Sequence, residues 1–233
     1  RDVINNNCMN TIKGHCYGCI EELENGRHRY NGQVVIKGAE GAKSSSVFLA
    51  DGSSDIIKKA KSISTSNGLY ETLWDFGRSL KHRCYVRESR YRRKFITQNF
   101  VPGLKNDWKI LVFGEKIYTL YRSTREKDFR ASGSGIFDFD KDLVTDEMLD
   151  YAMEIYKALD VPHVSLDIGY DGECFYLFEF QAIYFGSYTL ERSPFFFIKN
   201  NDNWETVSEP SVLEEVYAES VARYIRKKQS TRE

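Results

Sequence analysis

The chain lacks a membrane-length apolar run, a net charge of either sign, and a second cysteine pair to complete the one it has. No stretch approaches the ~20 apolar residues that span a bilayer, and no signal-like apolar segment opens the 233 residues. With 33 Lys and Arg against 34 Asp and Glu, the formal charge is −1. No global field therefore draws the chain to nucleic acid or to a lipid surface. Five cysteines, an odd number, fit reduced thiols better than a disulfide framework. Cys16 and Cys19 form one CxxC beside His15. A structural zinc usually takes four ligands and no second pair follows, so ordinary thiols are the simpler reading. A Walker-type GK[ST] phosphate loop is absent, as is any internal repeat.

What is present is a chain with 29% charged and 14% aromatic residues, able to bury one large core or two intimate ones and unsuited to disorder. Residues 1–30 are polar and weakly patterned. QVVIKG (33–38) and SVFLA (46–50) read as strands around the loop EGAKSS. Ser54 is placed to cap a short helix with Ile56, Ile57, Ala60 and Ile63 inward. A second helix is expected over 70–80, with Leu73, Trp74 and Phe76 apolar. Strand character resumes at 84–86 and at 94–101. WKILVFGEKIYTLYRS reads as a hairpin turning at Gly114-Glu115, with glycine first as a type II′ turn requires.

Beyond the loop FRASGSGIF, Thr145 should cap an amphipathic helix carrying Met148, Leu149, Ala152, Met153, Tyr156 and Leu159. A last helix is expected from Ser211, with Glu214 completing a capping box. Its apolar face would comprise Leu213, Val216, Tyr217, Val221, Tyr224 and Ile225. The pattern is that of an α+β protein with mostly antiparallel strands, divided into a smaller lobe, 1–97, and a larger one, 98–233.

The most informative stretch is VPHVSLDIGYDGECFYLFEFQ (161–181), two strands around Asp171-Gly172. Asp167 and Glu179 interrupt otherwise apolar runs, and Gln181 adds an amide oxygen. Half-buried acids are costly unless paired, and a divalent cation suits three oxygen donors. Side chains alternate along a strand, so Glu179 and Gln181 share a face. A two-residue Asp-Gly loop would place Asp167 on the opposite face. A three-residue loop, or an equivalent bulge, would bring all three donors together, with Gly172 supplying a left-handed residue. A hairpin whose acids simply face water is an equally ordinary reading.

Lys37 closes the strand VVIK and enters a Gly/Ser loop containing Lys43, a setting in which lysine and backbone N–H groups can meet phosphate; a plain turn is the commoner use of such a loop. Lys109 and Arg130 flank the central hairpin and its following loop. The string KHRCYVRESRYRRK (81–94) is strongly basic and could meet nucleic acid. A solvated edge strand and turn protected by charge explains it more simply.

In this order the segments resemble the ATP-grasp superfamily of carboxylate–amine ligases, over about Val34 to Gln181. The resemblance rests on VVIKGAEGAKSSSVFL, ITQNFVPGLKNDWKILVFGEKIYTLYR, DFRASGSG and LDIGYDGECFYLFEFQ. It implies an ATP-grasp fold of two lobes with a nucleotide cleft between them, and ATP and Mg2+ as cofactors. Lys37 and Lys43 would contact phosphates; Gln98 through Val101, with Asn99 between, would read adenine. Lys109 would approach the terminal phosphates, Arg130 would stabilise the transferred group, and Asp167, Glu179 and Gln181 would hold the metal.

The implied activity is a ligase joining a small carboxylate to an amine acceptor in the cytoplasm, with no nucleic-acid or membrane partner and a homodimer as an open expectation. An ATP-grasp kinase, a nucleotide-binding module without catalysis and a generic globular domain are the alternatives. Departures from the family pattern are Gln181 where Asn is usual, Ser165 where some members carry Arg, and Ser132 where Asn is frequent. The aromatic run SPFFFI has no counterpart, and the substrate domain expected ahead of the match would be missing or elsewhere.

Overall fold

The computed structural model describes residues 12–26, 30, 32–39, 46–66, 68–87, 89–104, 106–123 and 136–231. Lys13–Val101 makes one compact unit, and Pro102–Glu233 forms the bulk of a second.

The first unit is built on a four-stranded antiparallel sheet of order β1-β4-β2-β3. The strands are β1 (Gly14–Tyr17), β2 (Gln33–Gly38), β3 (Val47–Asp51) and β4 (Phe95–Asn99). Helices α1 (Ile20–Gly26) and α2 (Gly52–Ser64) bury Leu23, Ile56 and Ala60 against Val34, Ile36, Ala50 and Phe95. The α2 cap is Asp51 rather than the expected Ser54. Gly52, at φ +74°, turns the chain directly from β3 into the helix, and the Asp51 N–H donates to Asp55 Oδ2 at 3.0 Å. Helix α3 (Leu69–Lys81) spans the expected segment, but Leu73, Trp74 and Phe76 are exposed instead of packed.

Residues 84–86 form a turn and irregular chain, not a strand. The basic segment is largely exposed and turns at 83–84, as expected, but its described residues form no strand; it leads into β4, which is flanked by β1 and β2.

The second unit is a seven-stranded antiparallel sheet of order β11-β10-β6-β5-β8-β9, with β7 also paired to β6. Its strands are β5 (Asn106–Phe113), β6 (Lys116–Ser123), β7 (Phe137–Asp138), β8 (His163–Tyr170), β9 (Phe175–Gln181), β10 (Phe196–Asn200) and β11 (Asn203–Val207). Phe113 faces Lys116 across the two-residue turn. Gly114 has φ +63° while Glu115 does not have a positive φ, as type II′ geometry demands.

Helix α4 (Asp146–Leu159) is capped by Thr145, whose Oγ1 accepts from the Met148 N–H at 3.3 Å. It covers one sheet face with Met148, Leu149, Ala152 and also Ile155, against Ile110, Val112, Val164, Leu166 and Ile168. The short α5 (Tyr188–Arg192) and the long α6 (Leu213–Ser230) belong to the other face, where Leu111, Phe113, Tyr118, Phe185, Leu190, Phe196 and Val216 cluster. Ser211 does not cap α6: its N-cap is Val212, without a side-chain bond. Ser211 Oγ instead accepts from the buried Tyr118 hydroxyl at 2.8 Å. Val221 and Ile225 lie exposed. The unmatched aromatic run leads into β10, with Phe195 just ahead of it; Phe195 and Phe197 lie in one core and Phe196 in the other. A strand buried on both faces reads as a continuous apolar run.

Candidate active site

Alternation sends Asp107, Lys109, Leu111 and Phe113 of β5 to the sheet face away from α4. Cross-strand register sets Arg122 opposite Asp107, and Asp167 opposite Lys109. The hairpin brings the remaining acid to the same face by an unexpected route. Tyr170 pairs with Phe175 across a four-residue connection, longer than either loop considered from sequence. The Asp171 side chain explains the width: Oδ1 accepts from the Glu173 and Cys174 N–H groups at 2.9 and 2.8 Å, and Oδ2 from Tyr176 at 2.8 Å. Gly172 provides the left-handed residue at φ +104°.

Unbroken, that register would set Asp167 opposite Phe178. A bulge between the pairs Ile168–Leu177 and Asp167–Glu179 absorbs Phe178 and restores the other phase. Asp167 thus faces Glu179, and Ser165 faces Gln181. Gly169 makes the bulge feasible, because a Cβ there would lie 2.4 Å from Phe178 Cζ.

The charges at this end of the face are tightly arranged. Arg122 is buried; its Nε donates to Asp107 Oδ1 at 2.6 Å, and its Nη2 stands 3.2 Å from Asp167 Oδ1 without hydrogen-bond geometry. Lys109 Nζ reaches the same Asp167 oxygen at 3.2 Å. Oδ2 of Asp167 has no partner among the described residues. Glu179 and Gln181 are exposed and bonded to each other, Gln181 Nε2 donating to Glu179 Oε1 at 2.8 Å.

Burial pushes Asp107 up to about 6, with Arg122 opposing and the Asp167 charge adding to the rise. Burial also presses Asp167 upward, but Arg122 and Lys109 outweigh it and hold that carboxyl below its ordinary value. Burial would lower the Arg122 guanidinium, yet Asp167 and Asp107 raise it. Arg122 is thus a fixed cation shared by two acids of different proton affinity.

Asp107 and Arg122 were not singled out from sequence. The signal was weak: Asp107 stands between Asn106 and Trp108 at the start of β5, and Arg122 between Tyr121 and Ser123 at the end of β6, and each strand also carries a lysine. Among the described residues no three His, Cys, Asp or Glu converge on a ready-made metal cage. Two carboxylates and an amide remain, a hard-oxygen set that suits magnesium, which keeps waters and takes phosphate oxygens to fill its shell.

The other named residues divide. Lys109, Asp167, Glu179 and Gln181 share one face of the larger sheet. Lys37 and Gln98 share one face of the smaller sheet, where Val35 pairs with Gln98 and Lys37 with Ile96; Asn99 falls on the opposite face. The N–H groups of Asn99 and Phe100 are committed to the carbonyls of Lys13 and Gln33. Lys43 and Arg130 lie outside the described residues.

No family model matches the chain, and no curated protein matches it. Solved structures do: the fold is that of the ATP-grasp ligases. D-alanine–D-alanine ligase from Coxiella burnetii superposes with TM-score 0.53 at 10% identity, over 99% of this chain and 58% of that one. The ATP-grasp ligase PsnB, in complex with a minimal precursor, Mg and ADP, gives 0.52 at 13%, over 96% and 56%. The ADP complex of purK, N5-carboxyaminoimidazole ribonucleotide synthetase, gives 0.52 at 12%, over 83% and 46%. The chain therefore spans about half the length of the structures it matches.

Proposed function

We propose that this chain supplies the ATP-binding part of a magnesium-dependent ligase that activates a carboxylate as an acyl-phosphate for attack by an amine. The observation that carries the proposal is the bulge-set face on which Asp167, Glu179 and Gln181 stand beside Lys109 and the buried Arg122. Phosphoryl transfer asks a protein for positioning and charge neutralisation rather than for a covalent partner, and this face offers oxygen donors next to fixed cations.

In this reading Asp167, Glu179 and Gln181 would hold magnesium, which when bound would neutralise phosphate charge. Lys109 meets the terminal phosphates, while Arg122 anchors Asp167 by its other oxygen. A substrate carboxylate oxygen attacks the γ-phosphorus as the bond to ADP breaks. The amine then attacks the acyl carbon, loses a proton and releases inorganic phosphate. Lys37, Lys43, Gln98, Asn99 and Val101 take the nucleotide roles that the resemblance assigns, and Arg130 stabilises the transferred group. Dependence on ATP places the enzyme in the cytoplasm.

Thermal-shift titration with ATP and Mg2+, separately and together, tests the reading. Synergistic stabilisation is expected from linkage, and Asp167→Asn and Glu179→Gln should abolish the synergy while the proteins stay folded. No shift under any condition in a folded sample would refute nucleotide binding. Acceptor-dependent release of free phosphate would support the ligase. A phosphorylated acceptor would identify a kinase, and binding without turnover across amino and hydroxy acids would identify a non-catalytic module.

A further inference from the structure

Helix α3 stands apart from the rest of its unit. Its sequence is amphipathic, yet no residue from Tyr70 to Lys81 is buried. Tyr70 is 71% exposed, Leu73 68%, Trp74 58% and Leu80 73%. A helix of 13 residues is marginal in water without a packed apolar face. Its ends are well made: the Gly68 N–H donates to Glu71 Oε2 at 2.8 Å, and the His82 N–H to the Arg78 carbonyl at 2.9 Å. Among the described residues, none buries its apolar side chains. Beside it lies an open groove of about 540 Å³, with Tyr70, Trp74 and Tyr85 as its aromatic wall and Arg78 and Arg92 as its cations.

Charge identifies the cover. Between Arg78 and Lys94 the chain carries eight Lys and Arg and a single acid, Glu88. This stretch is thus +7 in a chain of net −1, and the remainder is −8. Arg78, Lys81, Arg83, Arg92, Arg93 and Lys94 are exposed. The two acids lining the groove are already engaged: Asp75 accepts from Tyr85 at 2.5 Å and pairs with Arg87 at 3.5 Å, and Glu71 holds the helix cap.

We propose that the α3 groove and the basic segment after it form a docking surface for an acidic amphipathic peptide segment of another protein, its apolar residues on Trp74 and Leu73 and its carboxylates on Arg78 and Arg92. A second copy bound by a two-fold axis would set like charge against like. Single-stranded nucleic acid would use the aromatics and cations, but it has no use for exposed Leu73, Leu80 and Val86, and it would set phosphates over Glu71 and Asp75. A peptide can place carboxylates and apolar side chains independently, as helix-in-groove recognition does. The surface shares no residue with the candidate active site, and its test needs neither ATP nor magnesium.

The probe is a fluorescein-labelled synthetic peptide of Glu, Leu and Phe patterned as an amphipathic helix, titrated with the whole chain and read by anisotropy. Binding is expected to weaken with salt. It should also weaken about tenfold or more on Trp74→Ala or on Arg78→Glu, the loss typical of a hot-spot residue, with circular dichroism and melting midpoint unchanged. Leu73→Ser provides a second variant at an exposed position. Trp74, more exposed than the buried Trp108, should lose its quenching by iodide when peptide binds. Failure of the peptide to bind would overturn the proposal. So would equal or tighter binding of an oligouridine RNA, or a concentration-dependent dimer that Trp74→Ala dissociates.

Discussion

Phe113 and Asp107 lie on one strand and face the same side of one sheet, yet the two ends of that face are opposite environments. Around Phe113 the sheet is sealed by rings: Tyr118, His163, Phe185 and Tyr217 all lie within 6.2 Å of it, centroid to centroid. Around Asp107 it carries Lys109, Arg122 and Asp167, joined by ion pairs of 2.6 to 3.2 Å. The aromatic end adds stability by burying area. The charged end retains groups whose desolvation is only partly repaid by pairing. One sheet thus separates the residues that hold it together from the residues that can act on a charged ligand.

Arg122→Ala should break this contrast most severely. It strips the buried Asp107 carboxylate of its partner and leaves Asp167 to Lys109 alone, at a cost of about 3–5 kcal/mol by denaturant unfolding, and it should also remove the ATP–Mg2+ thermal shift. Replacing Asp107 and Arg122 together by apolar residues of similar size should recover most of the stability and none of the shift.

At the other end, Phe113→Ala should cost about 3 kcal/mol through the cavity it leaves. Nucleotide-dependent stabilisation should persist at low temperature. If it is lost, the two ends are coupled and the division fails.

The ends should also titrate with opposite sign. Folded Asp107 keeps its proton to about 6 while the unfolded carboxyl releases it near 3.8, so its contribution falls as pH rises through that window. His163 is lowered from 6.5 by burial; its contribution is complete above 6.5 and is lost as pH falls below it. Stability measured against pH for the native chain minus Asp107→Asn should therefore slope down with pH. The same difference taken against His163→Phe should slope up. Slopes of equal sign would refute these environments.

The smallest effect is expected from Ser211→Ala, which removes the acceptor of the buried Tyr118 hydroxyl. It should cost about 1 kcal/mol with no change in nucleotide response.

Much of this was legible in the chain. The Gly114-Glu115 turn, the Thr145 cap and the strand character on both sides of Asp171-Gly172 follow from local chemistry acting over a few residues. The need for Asp167 and Glu179 to share a face was also readable, as a condition on register. How the condition is met was not. The Asp171 carboxylate widened the turn, and a bulge at Phe178 reversed the phase, made possible by a glycine on the neighbouring strand. Arg122 was invisible as a partner of Asp167 because their pairing runs through two strand registers. Helix α3 and helix α4 look alike by periodicity, and only one of them is covered.

Sequence by itself determined most of the helices, the central hairpins and the Gly114-Glu115 turn, and which acids interrupt the strands of the second hairpin, because turn glycines and periodicity act locally. Only the tertiary structure decided which charges meet, which face of the hairpin carries all three oxygen donors, and which amphipathic helix is left without a cover. Those outcomes depend on register and on packing between segments distant in the chain, where one inserted residue turns a side chain from core to site.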